Sequence, residues 1–222
     1  MMNFFKFLFI GCWLFVNTAT ASVVAIQKED AHTWASTKGE EIIHILSESD
    51  IRTKYTKLDK MMNEDVNLDY ISKFVIGKYG RLMDKEQKAQ YNNLFHRYVL
   101  SLYKKFHFKM NTESLNFSID EVIEHPRFTT VSCSVDLGEV YEDTSDLQEG
   151  NKIPVKFKLI RGENNRIQAV DVEISNVSMV LEYRKKFYQM IKEEDEDINW
   201  FLERFNDTVT ANEKDTFINA GI

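Results

Sequence analysis

The chain has 222 residues, with 28 basic residues facing 35 acidic ones for a net charge of −7, and 43% of it is hydrophobic. That length suits one ordinary domain or two very small ones, and the apolar content excludes a disordered chain. The acidic balance argues against nucleic acid, whose affinity rests on phosphate neutralisation. It argues equally against permanent adhesion to an anionic membrane.

The first residues, MMNFFKFLFIGCWLFVNTATA, place one positive charge, Lys6, before an apolar run from Phe7 to Val16. The run ends in Ala19-Thr20-Ala21, the small-x-small pattern that a signal peptidase cuts. It falls short of the roughly 20 residues that span a bilayer. The expectation is residues 1–21 as a signal peptide cleaved after Ala21, export, and a single domain over 22–206. Acylation of Cys12 is the alternative reading of the same segment. Cleavage after Ala21 leaves 27 basic against 35 acidic residues, a net charge of −8, and Cys133 as the sole thiol. The core must then hold by packing, without an internal disulfide.

In chain order, Trp34, Ile42, Ile43, Ile45 and Leu46 mark an amphipathic helix over 30–46. Ile51, Tyr55, Leu58 and Met62 recur at steps of four, three and four behind a cap at Ser49 or Asp50. Tyr70, Ile71, Phe74, Val75 and Tyr79 form a stripe over 67–79 that Gly80 interrupts. Asp84 with Gln87 has the form of a capping box. Behind it Tyr91, Leu94, Phe95, Tyr98, Val99, Leu102 and Phe106 line one face of a helix of roughly six turns. Tyr91, Tyr98 and Tyr103 bring hydroxyls to that stripe, as suits an apolar wall near a wet mouth.

After Lys109 the period changes from 3.6 to 2. Leu115, Phe117 and Ile119 alternate with polar residues, as do Val131, Cys133, Val135 and Leu137. Ile153, Val155, Phe157 and Leu159 follow, then Val170, Val172 and Ile174. This predicts four antiparallel strands covered on one face. Gly162 to Asn165 turns between the third and fourth, and Pro154 belongs near a strand start or an edge. The acidic segment 139–151 reads as a long solvated loop. At Ser175-Asn176 the strand passes into a helix capped by Ser178, with Asn176 suited to positive φ. That helix carries Val180, Tyr183, Phe187, Met190 and Ile191. Ile198, Phe201, Leu202 and Phe205 make a last short helix, and 207–222 is expected to be a disordered tail. The order of elements predicts an α+β fold: a curved four-stranded antiparallel sheet covered by N-terminal and C-terminal helices around an apolar cavity.

No nucleophile elbow, zinc-protease helix motif, paired-cysteine motif or phosphate loop occurs. His32, His44, His96, His107 and His125 lack metal-site spacing. Cys133, on the inner face of a strand, reads as an inert buried thiol. No catalytic residue, metal or cofactor is expected. The rival enzyme reading rests on Asp171 and His125 as acid or base inside the cavity, and a third reading is an adaptor whose core is filled.

Three blocks, NLDYISKFVIGKYGR, DKEQKAQYNNLFHRYVLSLY and VDVEISNVSMVLEYRKKF, resemble the MlaC family, also called toluene-tolerance phospholipid-binding proteins. Phe74, Val75, Gly77, Tyr79 and Arg81 carry the first match. Glu86, Gln87, Phe95, Tyr98, Leu102 and Tyr103 carry the second. Asp171, Val172, Val177, Ser178, Tyr183, Arg184 and Phe187 carry the third. The resemblance covers roughly residues 30–205. Gly80 stands where the family usually has an aromatic, which would thin one wall, and Asn176 where glycine is usual.

The resemblance implies a periplasmic phospholipid shuttle between an outer-membrane lipoprotein–porin complex and an inner-membrane ABC transporter with a lipid-binding ring subunit. It implies membrane contact only through those partners, and a monomer is expected. The expected lipid-binding wall takes Phe74, Val75, Tyr79, Tyr98 and Leu102 from the helices. Val155, Phe157, Val172, Ile174, Val177 and Met179 come from the sheet and the joint, and Tyr183 and Phe187 complete it. A Val177→Asp change is expected to abolish lipid recovery.

Overall fold

The computed structural model describes residues 26–104, 115–136, 152–162 and 165–219. The export segment with Cys12, Phe106, and the acidic loop at 139–151 lie outside the described residues. Among those described, six α-helices and five strands follow in the order α1 (Lys28–Leu46), α2 (Ile51–Asp65), α3 (Leu68–Ile76), α4 (Lys85–Tyr103), β1 (Asn116–His125) and β2 (Phe128–Asp136). Then come β3 (Lys152–Arg161), β4 (Ile167–Ile174), β5 (Val177–Ser178), α5 (Met179–Glu193) and α6 (Ile198–Asn219).

Most helix starts have a local hydrogen-bonding cause. Asp50 accepts from Thr53 N at 2.9 Å and Asn67 from Tyr70 N at 2.9 Å. Asp84 and Gln87 exchange side-chain and backbone bonds at 2.8 and 3.0 Å, the reciprocal box expected of that pair. Ser178 Oγ accepts from Leu181 N at 3.2 Å. Such caps satisfy backbone donors that the helix itself leaves unpaired. The helix expected over 67–79 ends earlier, at Ile76. There Gly77 takes φ +50 and the chain tightens into a 3-10 turn through Arg81. A Cβ at Gly77 would run into the Tyr188 hydroxyl and come within 2.9 Å of the Arg184 guanidinium.

The strands pair in sequence order, β1-β2-β3-β4-β5, all antiparallel. Four of them match the alternating segments. The fifth, Val177–Ser178, is the joint itself, which folds back on β4 through Ser175 (φ 49) and Asn176 (φ 65). Two bulges correct the simple alternation. Between Ile119 and Glu121 one extra residue returns Val122, opposite Val131, to the covered face. Between Lys158 and Leu159 the register jumps so that Val170 has no partner and Ala169 faces Leu159. Pro154 is the third residue of β3, close to its start, but that strand is central.

Among the described residues three apolar clusters form the core. In the first, α3, α4, α5 and α6 pack Tyr91, Phe95, Tyr98, Phe187, Phe201 and Phe205 against one another. Ring centroids lie 4.8 Å apart for Phe187–Phe205 and 5.5 Å for Tyr98–Phe205, in the edge-to-face range that favours aromatic pairs. In the second, α1 lays Ala31 and Ala35 on the sheet against Val131, Cys133, Leu159 and Ala169. The third is small, with Ile45, Tyr55 and Leu58 between α1 and α2.

Residues 207–219, expected as part of a disordered tail, continue α6. Val209 is fully buried in the helical cluster, and Glu213 takes a two-pronged bond from Arg97 at 2.7 and 2.9 Å. A stretch whose strong apolar residues are only Val209, Phe217 and Ile218 shows little periodicity, yet packing against α4 holds it helical.

Candidate functional site

Where the three clusters meet they do not close. A pocket of about 310 Å³ lies between them, its wall almost wholly apolar. The roof is formed by Trp34, Gly39 and Ile42 of α1 with Met61 and Met62 of α2. Leu68 and Ile71 of α3 and Val99 of α4 close the helical side. The sheet contributes Phe117, Val135, Val155, Phe157, Ala169 and Val172, and α5 adds Met179, Val180 and Tyr183.

Local causes place these groups. Gly39 has no Cβ, which lets the Phe117 ring lie against the α1 backbone. The Trp34 ring meets Phe157 edge-on at 6.0 Å. Phe157 stands opposite Val131 on one side and Val172 on the other, so the pleat presents all three on one face. Burial, reinforced by the nearby Tyr98, pushes the Tyr183 phenol up to about 12, so it lines the pocket as a neutral group.

Charged groups in the wall are paired. Lys38 Nζ stands 2.7 Å from both Asp65 and Glu41. Burial raises the Asp65 carboxyl above the usual range, and the bond from Lys38 works against that. Burial disfavours the Lys38 ammonium, but its bonds to the two carboxylates outweigh this and raise its pKa. Asp171 accepts from Ser178 Oγ at 2.7 Å and from Val180 N at 3.2 Å, so it fixes the start of α5. His125 lies at the β1–β2 turn, stacked on Phe128 at 4.4 Å, and is not in the pocket wall.

Of the thirteen residues expected to form a lipid wall, the structure brings Val155, Phe157, Val172, Met179 and Tyr183 together around this pocket. Val75, Tyr79, Tyr98 and Phe187 are buried inside the helical cluster, against which Leu102 also packs. Phe74, Ile174 and Val177 are exposed at 39, 42 and 44%. The tyrosine hydroxyls serve that cluster: Tyr91 donates to Ser72 O at 3.0 Å, Tyr98 accepts from Lys186 at 2.8 Å, and Tyr79 donates to Glu196 at 2.8 Å. Gly80 is not in the pocket wall, so its lack of a side chain thins nothing there.

The groups that sequence reasoning missed belong chiefly to α1, α2 and α3. Trp34, Ile42 and Met62 sit on stripes that periodicity does reveal, and Phe117 and Val135 on alternating strands. The usable signal was that helices preceding a one-faced sheet must supply its cover.

Sheet, helical cover and hollow together define an α+β domain built around an apolar pocket. The chain belongs to the MlaC protein family, whose model matches residues 37–206. Among curated proteins no relative matches it. Among solved structures it is similar in fold to the phospholipid-binding protein from Ralstonia solanacearum, determined in complex with a phospholipid. The TM-score is 0.62 at 11% identity, covering 81% of this chain and 97% of that one.

Proposed function

We propose that this protein is a phospholipid-binding carrier that takes acyl chain into the apolar pocket and leaves the headgroup largely outside. The observation that carries the reading is the unfilled apolar hollow in a member of the MlaC family. The phospholipid complex of the Ralstonia protein, which shares the fold, supports it. The volume accommodates about ten methylene-sized groups, taking ~30 Å³ for each, the share of a water molecule in the liquid. That is a segment of one chain. A polar headgroup gains nothing from such a wall, so several lipid classes are accepted.

The carrier is exported to the periplasm by cleavage after Ala21 and acts as a monomer. It shuttles lipid between an outer-membrane lipoprotein–porin complex and an inner-membrane ABC transporter with a lipid-binding ring subunit, and so helps maintain outer-membrane lipid asymmetry. Neither loading nor delivery needs a catalytic group. Organic extraction of the purified protein followed by mass spectrometry tests the reading. Phospholipid near one molecule per chain is expected, and lipid-free protein that takes up none from vesicles refutes it. N-terminal sequencing of the periplasmic fraction should begin at Ser22; a chain acylated at Cys12 refutes the cleavage.

A further inference from the structure

A second recess of about 440 Å³ lies beside the first, and its character is opposite. It is lined by Lys73, Arg161, Arg166, His96, Asp69 and Tyr70, among others. Val66 and Leu68 line both spaces, so one short strap separates them. The strap is latched to β4: Asn67 N donates to Ala169 O at 2.9 Å, and Asn67 Nδ2 donates to Gln168 Oε1 at 3.1 Å. Gln168 Nε2 in turn donates to Glu64 O at 3.1 Å.

The charges in this recess run against the molecule's overall sign. In a chain of net charge −7, its lining brings three cations to one carboxylate. The carboxylate, Asp69, has the His96 ring beside it, Nε2 to Oδ1 at 3.2 Å. Arg161 is held in place by Asp30 at 2.6 Å and by Asn165 O at 3.2 Å. Lys73 and Arg166, both exposed, have no ion-pair partner among the described residues. Like charges gathered from α3 and from the β3–β4 turn repel one another unless an anion joins them. An ammonium and a guanidinium lining one recess suit an oxyanion, whose oxygens accept from both.

We infer that the recess lined by Lys73, Arg161 and Arg166 binds a phosphate-type oxyanion, supplied by a lipid headgroup or by free phosphate. At about 440 Å³ it has room for a phosphate group together with its substituent. It does not depend on the apolar pocket holding lipid.

The test compares the wild-type chain with a Lys73→Gln/Arg166→Gln double variant at fixed ionic strength. Both positions are exposed, and circular dichroism checks that the fold is kept. One arm titrates lipid-free protein with inorganic phosphate by phosphorus NMR. The other measures uptake from vesicles of phosphatidylglycerol against vesicles of an uncharged glycolipid. Phosphate binding weakened at least tenfold, with lipid uptake unchanged, assigns the site to free phosphate. A selective loss of phosphatidylglycerol uptake, threefold or more, assigns it to the headgroup. A double variant equal to wild type in both arms overturns the proposal. If neither protein takes up lipid of any kind, the carrier reading fails, and the phosphate arm alone decides this one.

Discussion

A carboxylate placed at Val172 should act very differently from one placed at Val177, although only four residues lie between them. Val172 lines the apolar pocket opposite Phe157, whereas Val177 is 44% exposed at the joint. About ten methylenes fill the 310 Å³ hollow at ~30 Å³ each, and at ~0.8 kcal/mol per group they contribute about 8 kcal/mol of transfer free energy. An unpaired charge in that wall costs several kcal/mol, either as desolvation or as water drawn in where chain should lie. Even ~3 kcal/mol corresponds to roughly a hundredfold weaker binding. Val172→Asp is therefore expected to lose extracted phospholipid and to bind a fluorescent lipid at least a hundredfold more weakly. Val177→Asp should match wild type, in contrast to the expectation from sequence. Val172→Thr, nearly isosteric, keeps the comparison usable should the aspartate variant fail to fold. It should weaken binding by a smaller factor. Full lipid occupancy in Val172→Asp, or an equal loss in both aspartate variants, refutes the assignment of this pocket.

Gly39→Ala sets helix propensity against space: alanine gains about 1 kcal/mol in a helix interior, but its Cβ meets the Phe117 ring. A lower melting temperature and lower lipid occupancy are expected, and a higher melting temperature contradicts the close approach. Deleting residues 207–222 removes the buried Val209, worth about 1.5–3 kcal/mol, together with the Arg97–Glu213 pair. Urea unfolding should show that loss, whereas an unchanged midpoint would mean that the segment packs on nothing. Burial, helped by Asp120, pushes the Cys133 thiol up to about 12 from an ordinary value of 9.0. In the chain beginning at Ser22, where Cys133 is the sole thiol, native protein at pH 8 should resist alkylation, and rapid labelling counts against its burial. Between pH 9 and 12 the unfolded thiol loses its proton while the folded one keeps it. Stability should accordingly fall with rising pH in that window, by at most ~1.4 kcal/mol per unit from this group.

Local chemistry alone determined much of this protein. The Asp84–Gln87 box, the Ser178 cap, positive φ at Asn176 and the four alternating strands act between residues close in the chain, so the sequence displays them directly. The three blocks around Gly77, Phe95 and Ser178 carried enough order and spacing to indicate the MlaC family. Tertiary structure decided the rest. An apolar stripe says that a face is buried but not against what. Tyr98 and Phe187 thus entered a solid aromatic cluster, while Val99, one residue along, reached the hollow. Bulges exchanged Val170 for Ala169 on the covered face, and α4 held residues 207–219 helical despite their polar character. A hollow is the failure of distant segments to touch, and no periodicity within one segment records where its neighbours stop.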